Sequence, residues 1–520
     1  MEEKEINTNE PQKRKRIKKF EIVYQSTQDV KIEITDRKVL KIKELADKHN
    51  FQVYLVGGYV RDYFLNRPTQ DADFTVVGDA IEFAKIVAEH FHSKVVAYPR
   101  FFTAMVPIGD VEYEFVGTRK EFYLTKSRKP IVSIGTLEDD LRRRDFTINA
   151  LAVSLSNDSF GKVIDLFDGY KDIQNKIIRT PLDPSATFDD DPLRMLRAIR
   201  FASQLDFTIE DNTFQAIKEM CERIRIVSQE RITNELLKII DSTNPGKGFT
   251  LLYDSNLLEI IFPELYALAG VETKEENGIV YSHKDVFFHS LKVLDKVAQN
   301  TDNTYLRLAA LLHDIGKAKT KRFIPGVGWS YHGHEEVGAR MVANIFRRLK
   351  LPLDRIEYVE KLVRLHQRPM ALVDDGVTDS AIRRLAAYAG DALEDLFLLC
   401  RCDITTNNPN LSKKYLNNYQ KVWNKVLKVQ EKDKLREFQS PVRGEEIMEI
   451  FGLQPSPEVG VIKTAIEEAI LDGIIPNEYE KALQFVLERK ENWENILKTV
   501  DAREIKKDKD LIKKVFVYSK

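Results

Sequence analysis

Strand-type patterning stops near residue 180 of this 520-residue chain, and helical spacing takes over from there to the C-terminus. That break constrains the fold more than any other feature. A chain this long cannot be built around one compact core, so we expect an α+β front part followed by all-helical domains. "KVLKIKELADKHN" is spaced as a helix, "FQVYLV" as a short buried strand, and "YVRDYFLN" again as a helix. "DADFTVVG", "KVVAYPR", "FTAMVPIGDVEYEFVG" and "LAVSL" read as further strands, with helices at "AIEFAKIVAEHF" and about "TLEDDLRRRDFTI". Beyond 180, stretches such as "PLRMLRAIRFASQL" and "RITNELLKII" repeat the helical period, and strand signals almost vanish. The expected boundaries lie near 180, near 275 after "LAGVETKEENG" and near 410 after "NNPNLSKK". This divides the chain into a basic tail (1–30), a head (31–180), a helical neck (181–275), a domain over 276–410 and a helical C-terminal region (411–520).

The formal charge of −1 gives no general argument for a polyanionic partner. Only "KRKRIKK" at 13–19 concentrates basic residues, as a solvated tail or as an arm that faces RNA. Cys221, Cys400 and Cys402 form neither a disulfide framework nor a paired metal motif, which fits a reducing cytoplasm. No apolar run reaches the ~20 residues that cross a bilayer, and the expectation is a soluble cytoplasmic protein with no membrane partner.

The stretch "LVGGYVRDYFLNRPTQDADFTVVG" (55–78) carries the first candidate site. On a strand, Asp71 and Asp73 would project from one face, about 6.5 to 7 Å apart. Two carboxylates so close repel each other unless a cation lies between them. Hard cations such as Mg²⁺ take carboxylate and phosphate oxygens together. Gly57 and Gly58 lie between strand and helix, where backbone N–H groups can cradle phosphate. "VEYEFVG" puts Glu112 and Glu114 on one face and could add a third carboxylate, as a two-metal phosphoryl-transfer site requires.

Four motifs in order, "GGYVRD", the spaced "DAD", "RRRDFTINALA" and "DDPLRMLRAIRFA", resemble the class II tRNA nucleotidyltransferases and bacterial poly(A) polymerases. These belong to the polymerase-beta-like nucleotidyltransferase superfamily, and the similarity runs from about residue 50 to 270. The resemblance implies a mixed-sheet head with helices. It implies that Asp71, Asp73 and Glu114 hold the catalytic Mg²⁺ ions, and that Arg143, Arg144, Asp145 and Asn149 contact the ribose and triphosphate of the incoming nucleotide. Gly57, Gly58, Arg61 and Arg197 join the nucleotide-binding candidates. Asn66 in "FLNRP" departs from the family, which commonly has glycine there.

Asp191 and Arg194, three residues apart, share a helix face, while Leu193, Leu196 and Ile199 turn to the core. Aspartate can accept from an exocyclic amino group and arginine can donate to a ring acceptor. Cytosine and adenine each pair those two features, so one Asp–Arg pair could select C and A without a template. The family's base-reading motif is Glu-Asp-x-x-Arg. Asp191 and Arg194 match its Asp and Arg, and Asp190 stands where Glu is usual.

Six of the nine histidines fall between 283 and 366. His289, the adjacent His313–Asp314 pair of "LLHDIGK", and Asp403 could close a site in space. The span 281–405 resembles the HD superfamily of metal-dependent phosphohydrolases, and His334 and His366 match the further ligands of its two-metal members. That implies a second divalent-metal centre of unspecified metal. The tail "RGEEIMEIFGLQPSPEVGVIKTAIEEAILDGIIPNEYEKALQFV" resembles the tRNA-body-holding end of such enzymes.

The expectation is a CCA-adding enzyme acting on tRNA with CTP and ATP, with a phosphohydrolase activity in the HD domain. The alternatives within the family are a poly(A) polymerase or a CC- or A-only enzyme; "YPRFFTAMVP" at 98–107 looks more like the CCA enzymes. The alternative of another class is an HD hydrolase or tRNA-binding module with an idle head.

Overall fold

The computed structural model describes residues 30–68, 72–124, 127–373, 377–433, 440–506 and 508–518. The basic run at 13–19 and Asp71 lie outside the described residues. The chain divides into two compact units, 1–190 and 191–520.

In the first unit, α1 (Arg37–Lys48) is started by Asp36, whose carboxylate accepts from the backbone N–H of Lys38 and Val39. Then come β1 (Gln52–Val56), α2 (Gly58–Phe64), β2 (Asp73–Val77) and α3 (Ala80–His90), the last capped by Asp79. After β3 (Val96–Tyr98), the stretch read as one strand proves to be a hairpin, β4 (Thr103–Ile108) and β5 (Val111–Gly117). Gly109, at φ 66°, makes its turn. A second hairpin, β6 (Arg119–Leu124) and β7 (Ser127–Ile134), leads to α4 (Leu137–Arg142). The unit continues through β8 (Leu151–Ser154), β9 (Val163–Asp165), α5 (Gly169–Asn175), the two-residue β10 (Ile177–Ile178) and α6 (Pro184–Asp190).

Seven strands form one mixed sheet in the order β3-β4-β5-β2-β1-β8-β9. Only β2 and β5 run parallel, and their register sets Asp73 opposite Glu114. Below the sheet, Phe74 and Phe115 stack with ring centroids 4.9 Å apart, and Phe83 packs edge-on against Phe115. Each fully buried phenylalanine contributes about 1.5–3 kcal/mol to holding the register. The helix expected to run on to Ile148 stops at Arg142 and gives way to a single 3₁₀ turn, Thr147–Asn149. Burying both Phe146 and Ile148 requires an extended step at Phe146, at φ −136° and ψ 153°.

The second unit opens with α7 (Leu193–Leu205), the two-residue β11 (Thr208–Ile209) and α8 (Asp211–Met220). Four more helices follow, α9 (Gln229–Ile240), α10 (Pro245–Asp254), α11 (Leu257–Ile261) and α12 (Pro263–Tyr266). Two short hairpins then interrupt the helical pattern: β12 (Thr273–Glu276) with β13 (Ile279–Ser282), and β14 (Arg322–Ile324) with β15 (Gly328–Ser330). "ENG", read as punctuation between domains, is the turn of the first, with Asn277 and Gly278 both at positive φ. Between and after the hairpins lie α13 (Val286–Ala298), α14 (Thr304–Leu312), α15 (Lys317–Thr320), α16 (His334–Leu349), α17 (Ile356–Leu365), α18 (Asp379–Ala389) and α19 (Leu393–Asp403). The long α20 (Pro409–Asp433) leads to a tail of α21 (Gly444–Phe451), α22 (Pro457–Leu471), α23 (Tyr479–Thr499), α24 (Ala502–Ile505) and α25 (Lys509–Ile512). Fully buried Trp493 centres the tail's own core and donates its indole N–H to the carbonyl of Phe516. None of the helices is long and apolar enough to cross a membrane, among the described residues.

Candidate functional site

In the head, β2 and β5 bring Asp73 and Glu114 side by side. Burial, then the neighbouring Asp73, push the Glu114 carboxyl above its ordinary value, against the pull of Arg119, Arg144 and Arg143. Two carboxylates that raise each other's proton affinity are a donor set suited to a hard divalent cation. Asp71 was expected beside them, but it lies outside the described residues.

The turn between β1 and α2 holds Gly57 at φ 69°. A Cβ there would lie 3.2 Å from Arg144 Nη1 and 3.6 Å from Asp73 Oδ2, so a guanidinium and a carboxylate both lie against this turn. Gly58 starts α2, whose Arg61 donates to Asn149 Oδ1 at 2.8 Å. Asn149 in turn donates to Asp145 Oδ1 at 3.0 Å. Arg61, Asn149 and Asp145, all expected at the nucleotide, are thus joined in one series. Asn66 takes φ 51°, the left-handed conformation that favours glycine and that asparagine tolerates better than most residues, so its departure from the family preserves the turn.

Sequence reasoning missed the residue that organises the arginines. Asp140 is fully buried on α4. It accepts from Arg143 Nε at 2.9 Å, from Arg144 Nη2 at 3.2 Å and from the hydroxyl of Thr75 at 3.2 Å. Burial alone would raise its pKa, but the two guanidinium groups outweigh this and hold it below the usual carboxylate range. Its positions relative to Arg143 and Arg144, i+3 and i+4 in "DLRRR", were the available signal.

In the second unit, Asp191 precedes α7 and accepts from the backbone N–H of Leu193 at 3.2 Å. Its carboxylate also takes a fork from Arg231 of α9, at 2.8 Å and 3.4 Å. Arg231 was not foreseen, since it stands 40 residues away in sequence. Arg194 and Arg197 follow on α7, with the Arg197 guanidinium 5.5 Å from the Phe201 ring centroid.

The histidine-rich segment gathers all six expected residues into one cluster. His289 comes from α13, His313 and Asp314 from the end of α14, His334 from the start of α16, His366 from the end of α17, and Asp403 from the end of α19. They form two groups, His289–His313–Asp403 and Asp314–His334–His366, with the ligand atoms of each group within 4.8 Å of one another. Asp314 lies between them. Its Oδ2 is 3.3 Å from His313 Nε2 and 3.6 Å from His289 Nε2, while Oδ1 is 3.2 Å from His334 Nε2 and 3.7 Å from His366 Nε2.

Three of these rings are fixed in the same way. Nδ1 of His313, His334 and His366 lies 2.8, 2.9 and 2.7 Å from the carbonyls of Ala310, Tyr331 and Val363, each three residues earlier. That contact commits the proton to Nδ1 and turns the Nε2 lone pair inward, the usual second-shell arrangement of a metal-ligating histidine. His289 Nδ1 meets Thr405 Oγ1 at 3.0 Å. The Nε2 atoms of His289 and His313 then face each other at 3.3 Å. Two lone pairs at that distance repel unless a cation or a proton lies between them. Asp314 Oδ1 and His366 Nε2 are buried and have no hydrogen-bond partner. With no metal bound, burial pulls the His313 pKa down, but Asp314 and Asp403 outweigh it and push it up to about 10. The donor set of imidazoles and carboxylates fits one or two divalent metals.

Glycine is required where this motif turns. A Cβ at Gly316 would meet the carbonyl oxygen of His334 at 2.1 Å, so only glycine lets the "HDIGK" turn pack against the start of α16. Lys317 donates to Asp314 Oδ2 at 2.7 Å. Beside the cluster opens a cavity of about 540 Å³, lined among others by Lys284, Lys317, Gln367, Tyr415 and Tyr419.

Comparison with known proteins agrees with both centres. Residues 53–179 match the poly A polymerase head domain, 206–268 the family described as "Probable RNA and SrmB- binding site of polymerase A", and 286–408 the HD domain. The multifunctional CCA protein of Neisseria gonorrhoeae is 35% identical over 324 residues, covering 61% of this chain and 73% of the relative. The A-adding tRNA nucleotidyltransferase of Deinococcus radiodurans is 30% identical over 427 residues, covering 80% of this chain and 90% of the relative. The fold matches a CCA-adding enzyme in its apo form I, with a TM-score of 0.58, 23% identity and coverage of 87% of this chain and 95% of that one. It also matches the Thermotoga maritima CCA-adding enzyme complexed with tRNA, with a TM-score of 0.53, 23% identity and coverage of 87% and 96%. The head and the metal cluster define a template-independent nucleotidyltransferase joined to an HD domain. The chain belongs to the tRNA nucleotidyltransferase family that includes the multifunctional CCA proteins.

Proposed function

We propose that this chain adds C and A to the 3′ end of tRNA from CTP and ATP and releases pyrophosphate. The observation that carries this reading is Asp73 set opposite Glu114 with the Arg144 guanidinium against the same turn. In the reaction the tRNA 3′ oxygen bonds to the α-phosphorus as the bond to the bridging oxygen of pyrophosphate breaks. Arg143 and Arg144 bind the triphosphate, the Gly57–Gly58 turn accommodates its backbone approach, and Asp145, Asn149 and Arg61 orient the ribose. Asp191 and Arg194 read the amino group and the ring acceptor of the base, with Arg197 beside them. Mg²⁺ held by Asp71, Asp73 and Glu114 would lower the charge on the attacking and departing oxygens.

In this reading residues 31–180 are the head, 181–275 the neck, 276–410 the HD domain and 411–520 the tRNA-holding tail, behind a basic 1–30 segment, in a cytoplasmic enzyme. The HD centre is a divalent-metal phosphohydrolase in which Lys284 and Lys317 face a substrate phosphate. Its substrate is a phosphate or cyclic phosphate at a damaged RNA end.

The relative in Deinococcus radiodurans favours a second reading, addition of A alone. Incubating the protein with tRNAs ending before C, CC or CCA, each nucleotide supplied singly, and sizing the products at single-nucleotide resolution separates the two. We expect C addition from CTP and A addition to tRNA ending in CC. Product from ATP only would leave the A-adding reading, and continuous A tracts would mean a poly(A) polymerase.

A further inference from the structure

We infer that Asp140 is a positioning residue of the nucleotidyl-transfer site. It holds Arg143 and Arg144 toward the nucleotide's phosphates and keeps them from pairing with the metal-holding carboxylates. The inference rests on the nucleotidyl-transfer reading of the head.

Asp140 has no exposed surface, so its charge must be matched by what touches it. Its partners are the Nε of Arg143, the Nη2 of Arg144 and the hydroxyl of Thr75, and Arg144 Nη2 also donates to that hydroxyl at 3.4 Å. Thr75 is on β2, two residues beyond Asp73 and in register with Val116 of β5, so the clamp is fixed to the strands that carry the carboxylates. The Nε of Arg144 is buried and has no hydrogen-bond partner, while Nη1 lies against the Gly57 turn beside Asp73. Arg144 is therefore restrained through one nitrogen, with its remaining donors aimed at the turn.

A long, mobile cation near two carboxylates pairs with them unless another anion competes. Paired, it would do double damage. It would occupy the oxygens needed for the divalent cation, and it would withdraw a donor from the triphosphate. A buried carboxylate on the far side of both arginines removes that alternative. Two guanidinium groups against one carboxylate leave a net positive charge for an incoming polyphosphate.

The test is Asp140→Asn, which keeps the shape and removes the charge. On a tRNA lacking its end, KM for CTP and ATP and the Mg²⁺ concentration giving half-maximal rate should each rise about tenfold, with kcat falling less than about threefold. Equilibrium binding of ATP, which needs no turnover, should weaken in parallel. In an Arg144→Gln background the same substitution should add little to the Mg²⁺ requirement, because the competing guanidinium is already gone. Unchanged KM, ATP binding and Mg²⁺ requirement in folded Asp140→Asn would overturn the inference, and so would fully additive effects in the double variant. Should Asp140→Asn not fold, Thr75→Val strips one donor from the same carboxylate; a smaller rise in the same constants supports the inference, and no rise overturns it. A wild-type protein that transfers no nucleotide would instead sink the transfer reading.

Discussion

The two centres of this chain are made in opposite ways. The HD cluster draws its six ligands from five helices, and three of its imidazoles are locked by carbonyls one helical turn earlier. His313, Asp314, His334 and His366 are all buried. The head centre instead rests on one pair of parallel strands and a glycine turn, with Asp73 and Glu114 only partly buried and their cationic neighbours held off by Asp140. The first is a preformed cage whose geometry is fixed before any metal arrives. The second is an open shelf, as a site must be if it is to admit a nucleotide and an RNA end in turn. Preorganisation favours tight metal retention, whereas the shelf leaves its metal to exchange with the substrate.

The largest expected effect tests the shelf. Asp73→Ala should lower nucleotide transfer by about 10³-fold or more, since the oxygens that hold the divalent cation are lost. Binding of tRNA, measured by filter retention, should persist because it rests on basic surface rather than on the carboxylates. Appreciable transfer by the variant would mean that the shelf is not the catalytic centre.

A smaller effect is expected at the base. Asp191→Ala and Arg194→Ala should each relax the preference for CTP and ATP over UTP and GTP about ten- to a hundredfold, the worth of one well-made base contact. Arg231→Ala should cost only a few-fold, because it orients Asp191 without touching the base. The readout is kcat/KM with all four nucleoside triphosphates. Wild-type preference in folded Asp191→Ala and Arg194→Ala would assign base reading to other residues.

The smallest expected effect is at Asn66. Because the backbone there already takes a conformation open to glycine, Asn66→Gly should change stability by less than about 0.5 kcal/mol and leave transfer intact. A large shift in the thermal midpoint would show that the asparagine side chain has a role of its own.

The contrast between the centres also explains what could be read in the sequence. The cage was legible because each of its ligands is a rare residue type, and six of nine histidines in one segment mark it. On the shelf, Asp73 and Glu114 were legible from strand alternation, but Asp140 and Arg231 were not. Their significance lies in a partner, and acidic and basic residues are too common for spacing alone to single out a pair. Alternation likewise revealed the apolar strands of the head. It missed β12 to β15, whose exposed residues include Lys274, Glu275, Arg322 and Ile324 and carry no period-two pattern. The end of α4 was missed because the helical spacing of "DLRRRD" continues past the point where Phe146 must be buried.

The central claim is that the cage and the shelf work independently, each complete within its own unit. The most direct measurement is C and A addition by the double variant His313→Ala, Asp314→Ala, with bound metal quantified on the same preparation. The account predicts loss of the metal retained by the wild-type protein, loss of any phosphohydrolase activity, and transfer within about twofold of wild type. Transfer that falls together with the metal, in a variant whose circular dichroism shows it folded, would contradict it.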